Sequence, residues 1–165
     1  MYIFAAQIKT ISINDEKKLG VVFLLLAFAL NLSAQRQVSG VEFMADKAKT
    51  MEVLEKKFGV PYLLGAGKAI YKNVVFDGET YNEAECFFNE EGKLNQLRLT
   101  TNFGNRKNAI ARMNKLAKKY EQSYNTTYSE NSDDGKFVVG YDTKGGTTIM
   151  ISTFKNSCLL SFGLF

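Results

Sequence analysis

What most narrows the fold is an alternation of two hydrophobic periods, run through twice. Ala48, Met51, Leu54 and Phe58 recur at helical spacing behind Asp46, a candidate N-cap. Gly59 and Pro61 stop that helix, and Lys56-Lys57 in its last turn suit the helix dipole. Three segments of strand composition follow: Ala69–Phe76, Thr80–Asn89 and Leu94–Thr101. Asp77-Gly78 between the first two is a two-residue hairpin signal, and Gly92 in Asn89–Lys93 supplies a positive φ for the next turn. Ala84, Cys86 and Phe88 share one strand face, as do Leu97 and Leu99.

The same order then repeats. Asn105 can cap a helix whose Ala109, Ile110, Met113, Leu116, Ala117 and Tyr120 make an apolar stripe. A polar stretch, 122–135, holds a short edge strand near Thr126–Ser129. Strands at Lys136–Tyr141, Thr147–Phe154 and Cys158–Leu164 complete the second half. The pattern predicts an α+β fold of two successive α-β-β-β units, residues 40–102 and 103–165, in one domain spanning 35–165. The sheet is antiparallel, with two helices packed on one face.

Residues 1–34 are expected to stand outside that domain. Lys17-Lys18, the apolar run Leu19–Leu30 and Ala34 before polar Gln35 form a signal-peptide pattern with cleavage after Ala34. The run would rise roughly 18 Å as a helix, short of a hydrocarbon core about 30 Å thick. Residues 1–16, with Asp15-Glu16 before the lysines, suit an overextended start better than a leader. The expectation is export to the periplasm or beyond, with no stable membrane span after cleavage.

Composition removes several chemistries. The chain has no histidine, which excludes Ser-His-Asp and Cys-His catalysis and His-ligated metals, and its two cysteines cannot build a Cys₄ site. Asn131–Gly135 resembles a calcium loop only in composition; position twelve would be Tyr141, not a carboxylate. No residue set asks for a metal or a cofactor. Glu83 and Glu85, two apart on a strand and roughly 6–7 Å between Cα atoms, form the one carboxylate pair suited to glycan hydrolysis. With Asp77, Glu79, Glu90 and Glu91 they make the first hairpin acidic, and the bland alternative is a charged outer face that guards the sheet against edge pairing. Cys86 and Cys158 either link the two units by a disulfide worth a few kcal/mol or are two buried thiols. Tyr62, Tyr71, Tyr124, Tyr128 and Tyr141 are candidates for an exposed aromatic patch.

Charge is unevenly placed. The first unit is near neutral, whereas the second helix carries Lys107, Arg112, Lys115, Lys118 and Lys119 with no carboxylate among them until Glu121. These five cations span a face roughly 140° wide, suited to an anionic surface such as lipopolysaccharide or lipid head groups. The alternative is a solvated helix face. No aromatic residue lies among the five cations, and nucleic acid is not an expected partner.

Met51–Pro61 ends in F-G-x-P and is followed by Ile70-Tyr-Lys-Asn73, an aromatic strand, Glu91-Gly-Lys-Leu94 and a helix ending Lys118-Lys-Tyr120. This succession, over residues 40–121, resembles a group of uncharacterised small exported Gram-negative bacterial proteins. Cys86 and Phe88 stand here at their F-x-F positions. The helix-G-x-P-meander unit is similar to outer-membrane assembly lipoproteins of the BamE (SmpA/OmlA) type, and its tandem to the β-lactamase inhibitor protein fold. No lipid-attachment cysteine follows the apolar run, a departure from the BamE pattern. The resemblance implies work by protein–protein contact. The sequence therefore leads to an exported, soluble, non-catalytic binding protein whose partner is another protein or an envelope component. A carboxylate-dependent envelope glycan hydrolase, and anionic-surface binding through helix 106–121, are its alternatives.

Overall fold

The computed structural model describes residues 36–131, 135–142 and 146–164. The signal-peptide reading and most of the Asn131–Gly135 loop lie outside the described residues. Arg36–Phe165 form a compact unit with a core of their own. In chain order its elements are β1 (Gln37–Val38), β2 (Val41–Glu42), α1 (Lys47–Phe58), β3 (Leu63–Leu64), β4 (Lys68–Phe76), β5 (Glu79–Phe88) and β6 (Leu94–Asn102). The second half has α2 (Arg106–Tyr124), β7 (Thr127–Asn131), β8 (Gly135–Tyr141), β9 (Thr148–Phe154) and β10 (Ser157–Gly163).

Eight strands make one antiparallel sheet in the order β3-β4-β5-β6-β10-β9-β8-β7. Each half is a meander, and the halves meet through their last strands, β6 and β10, from Ser157↔Asn102 to Gly163↔Gln96. Leu99 and Leu160 stand opposite each other at the centre, and both are fully buried. The α+β class is therefore as the two periods predict. What they do not reveal is the order in which the meanders join.

Both helices lie on one face. Phe58 of α1 packs edge-on to Tyr71 at 5.4 Å and against Phe76 at 6.2 Å. Phe76 reaches Phe162 at 5.9 Å, and Phe162 meets Tyr120 and Tyr124 of α2 at 5.5 and 5.8 Å. This aromatic chain carries the core from one helix to the other. Asn105 caps α2 as expected, accepting the Asn108 N–H at 2.9 Å. Asp46 precedes α1, but its side chain makes no capping bond. Ile110, expected in the apolar stripe of α2, is 39% exposed, because Ala109, Met113 and Leu116 already fill that face. Gly140 of β8 passes directly under the end of α2, where an added Cβ would strike the Tyr124 carbonyl oxygen.

One local irregularity shapes the surface. In β4 the buried residues are Ala69 and Tyr71, then Val74 and Phe76; in β5 they are Phe88, Cys86 and Ala84, then Tyr81. Two outer residues sit in a row in each strand, Lys72-Asn73 and Asn82-Glu83, while the register between the strands is kept. Asn73 takes a left-handed φ of 53° to allow this. The pairing of β5 with β6 ends at Glu83↔Thr100, and beyond it Asn82 Oδ1 accepts the Asn102 N–H at 2.7 Å. The hairpin tip, turned at Asp77-Gly78 with φ of 51° and 75°, thus leaves the sheet and reaches α2.

Phe162 joins three other rings, so Phe162→Ala should lower unfolding free energy by about 3–5 kcal/mol. Urea titration followed by circular dichroism measures this; a loss below about 1 kcal/mol would show that the rings are not coupled as described.

Candidate functional site

The basic flank of α2 and the acidic hairpin, two separate features in the sequence, are each other's partners. Glu79 binds the Arg112 guanidinium and sits 2.9 Å from Lys115 Nζ. Arg112 also donates to the Thr80 carbonyl at 3.3 Å and lies over the Tyr81 ring, 5.2 Å from its centroid. Asp77 pairs with Lys119 at 3.0 Å and accepts the Tyr120 hydroxyl hydrogen at 2.8 Å. Only 11% of the Arg112 side chain and 16% of Glu79 are exposed, so this pair is largely withdrawn from solvent.

The protonation of these groups follows. Hydrogen bonds from Arg112 and then Lys115 hold the Glu79 carboxyl below its ordinary value. Burial works against a charged Asp77, but hydrogen bonds from Tyr120 and Lys119 outweigh it, and its carboxyl also sits low. Burial, then the bond to Asp77, pushes the Tyr120 phenol upward, so it stays a donor.

Of the five cations expected to meet an anionic surface together, Arg112, Lys115 and Lys119 are thus occupied within the molecule. Lys107 and Lys118 lie on the other flank of α2, exposed and, among the described residues, without an ion pair. The structure does not bring the five together as one free face.

Glu83 and Glu85 lie on the sheet face opposite the helices, each met by cations. Lys72 pairs with Glu83, and Lys68 and Arg98 approach Glu85 at 3.1 and 3.7 Å. Lys68 and Arg98 also flank the Phe87 ring, at 5.7 and 5.0 Å from its centroid. The two carboxylates thus face cations on an open sheet surface and do not line an enclosed cleft.

Cys86 and Cys158 are both buried free thiols, and burial pushes each up to about 12. Register explains why they do not bridge. Cys86 pairs with Leu97 and Cys158 with Thr101, on either side of β6. Two strand spacings and four residues of rise separate them by about 16 Å, far beyond disulfide reach. Of the five tyrosines, Tyr71 and Tyr124 belong to the core, whereas Tyr62, Tyr128 and Tyr141 are 74%, 59% and 68% exposed and lie apart. They form no single patch.

Two helices on one face leave the other face of the sheet open, and what sequence reading missed is the make-up of that face. Among the described residues no helix packs on it. Its first half carries the paired charges Lys68, Lys72, Glu83, Glu85 and Arg98. Its second half carries half-buried Leu159, Met150, Phe137 and Val139 on adjacent strands, with Ser152 and Ser161 between them. A shallow pocket opens there beside Met150, Ser161 and Gly163. The unbroken apolar runs Phe137–Val139 in β8 and Ile149–Ile151 in β9, which put apolar residues on both faces, were the available signal. Among the described residues no group of His, Cys, Asp or Glu could hold a metal ion, and no helix is long and apolar enough to cross a membrane. No protein-family model, curated protein or solved structure matches the chain.

Two outcomes test the charge cluster. Because Asp77 and Glu79 are depressed, their stabilisation is complete above their ordinary values of 3.8 and 4.5. It is lost as the pH falls through the lowered ones, so thermal midpoints should hold from pH 7 to 5 and drop below about 4. Glu79→Ala, which strands Arg112, should cost about 2–3 kcal/mol in urea and flatten that acid limb. An unchanged acid limb would disprove the assignment.

Proposed function

We propose that the chain is an exported, non-catalytic binding protein that meets another protein of the envelope through the open face of its eight-stranded sheet. The observation carrying this reading is that face: apolar side chains held half-exposed in a fixed lattice beside charges that neutralise one another. Internal neutralisation lowers the cost of covering charged groups, and Phe137, Met150 and Leu159 supply area that gains from being covered. A rigid sheet also loses little conformational entropy on binding, since its side chains are already ordered by their neighbours.

Export rests on the apolar run 19–30 with its preceding lysines and following Ala34. The absence of histidine and the compensation of Glu83 and Glu85 weigh against hydrolysis. Occupation of Arg112, Lys115 and Lys119 by the hairpin tip weighs against anionic-surface binding through α2.

The test is capture from an envelope extract by immobilised residues 36–165, wild type against Phe137→Glu plus Met150→Glu. A control variant, Lys107→Glu plus Lys118→Glu, alters α2 alone. Loss of the captured protein with the first variant and its retention with the second is the expected result, given equal thermal midpoints. Retention by the sheet-face variant would end the proposal.

A further inference from the structure

The two edges of the sheet are built differently. At the β4 edge, β3 covers only Ala69 and Ile70, and Lys72 with left-handed Asn73 breaks the edge geometry beyond it. An outward lysine on an edge is a usual means of blocking a further strand, and the local irregularity at Asn73 adds to it. At the other edge β7 runs five residues in unbroken register with β8, from Thr127↔Val139 to Asn131↔Gly135. It contains no proline, lysine or bulge. Its outer side is unpaired among the described residues.

What overhangs that edge is also distinctive. Ile110, Asn114, Lys107 and Lys118 fall within about 80° of one another around α2, on the flank away from the hairpin tip. Tyr128 of β7 reaches this flank, its hydroxyl 3.4 Å from Asn114 Oδ1. Glu130, two residues on and therefore on the same side, is exposed and makes no ion pair among the described residues. Lys118 and Lys107 lack one as well. The edge thus offers an acid on the strand, bases on the helix above, and a 39% exposed Ile110 between them.

We propose that β7 pairs antiparallel with β7 of a second copy of this chain, about a two-fold axis through Ser129. In that register Tyr128 stands opposite Glu130 of the second copy, and the same contact occurs twice. The incoming Glu130 carboxylate arrives beside Asn114 and Lys118, and the incoming Tyr128 ring arrives beside Ile110. The strand is complementary to itself only in this direction, because a parallel pairing would set Glu130 against Glu130. Closure about the axis uses up both open edges and leaves β3 and the edge of β4 outside. The two open sheet faces become one surface of sixteen strands. The interface is a single five-residue strand with one helix flank, so the dimer is a weak one, dissociating in the micromolar range.

Sedimentation equilibrium on residues 36–165, a compact unit in their own right, tests this. Wild type is expected to move from one chain mass to two as concentration rises through the micromolar range. Glu130→Lys, which sets like charges together, should raise the dissociation constant by about tenfold or more. Adding Lys118→Glu to it should bring the constant back to within about threefold of wild type. Far-ultraviolet circular dichroism of each variant, unchanged, keeps folding out of the comparison. A single-chain mass at the highest concentrations overturns the proposal, as does a dimer indifferent to Glu130→Lys or one that the double variant fails to restore. None of these readings depends on an envelope partner, so they stand or fall separately from the function proposed above.

Discussion

The pairing of β6 with β10 is the interaction on which the rest of the architecture depends. Each meander alone would be a four-stranded sheet, counting the two-residue β3, with one helix to cover it and an open edge on either side. Joining the last strand of each removes two edges at once and lines up Leu97, Leu99, Leu160 and Phe162 as a continuous buried strip. It also decides where the helices go. With the inner faces of both meanders made coplanar, α1 and α2 must share one side, and the ring contacts from Phe58 through Phe76 and Phe162 to Tyr124 fill the space between them. The opposite side is left open as a consequence.

Much of this was legible in the sequence, and the limits are physical. Helix and strand periods, the Asp77-Gly78 turn, the Asn105 cap and the buried sets Ala84, Cys86, Phe88 and Leu97, Leu99 are local, and local rules place them. The register of β6 on β10 is non-local, since nothing in either strand names its partner. That is why the Cys86–Cys158 pairing could be entertained from sequence and is resolved by geometry. The tiny β1–β2 hairpin and two-residue β3 are shorter than any period can show.

The candidate site was legible in its parts and not in its assembly. An acidic hairpin and a basic helix flank were visible separately, about thirty residues apart, and each had a solvent-facing explanation of its own. What brings them together is the kink at Asn73 and Asn82, which turns Glu79 and Asp77 onto Arg112, Lys115 and Lys119. A residue in a left-handed conformation within a strand leaves almost no mark on a single sequence, because asparagine is equally at home in a turn. The make-up of the uncovered sheet face was hidden for a different reason. Leu159, Met150 and Phe137 look like core residues until the strand register shows which face each turns toward the helices.

The seam between the halves has a further meaning in time. Within each meander, neighbouring strands are joined by short turns and can pair as soon as they meet. Leu99 and Leu160, by contrast, are separated by about 60 residues, and closing that loop is the largest entropic step the topology demands. The two halves are thus free to gain structure before the seam closes, each meanwhile presenting an unsatisfied strand. During that interval β6 of one chain and β10 of another are as well matched as β6 and β10 of the same chain. Concentration then decides between folding alone and exchanging halves, and the seam is the point at which a crowded refolding mixture would produce domain-swapped pairs.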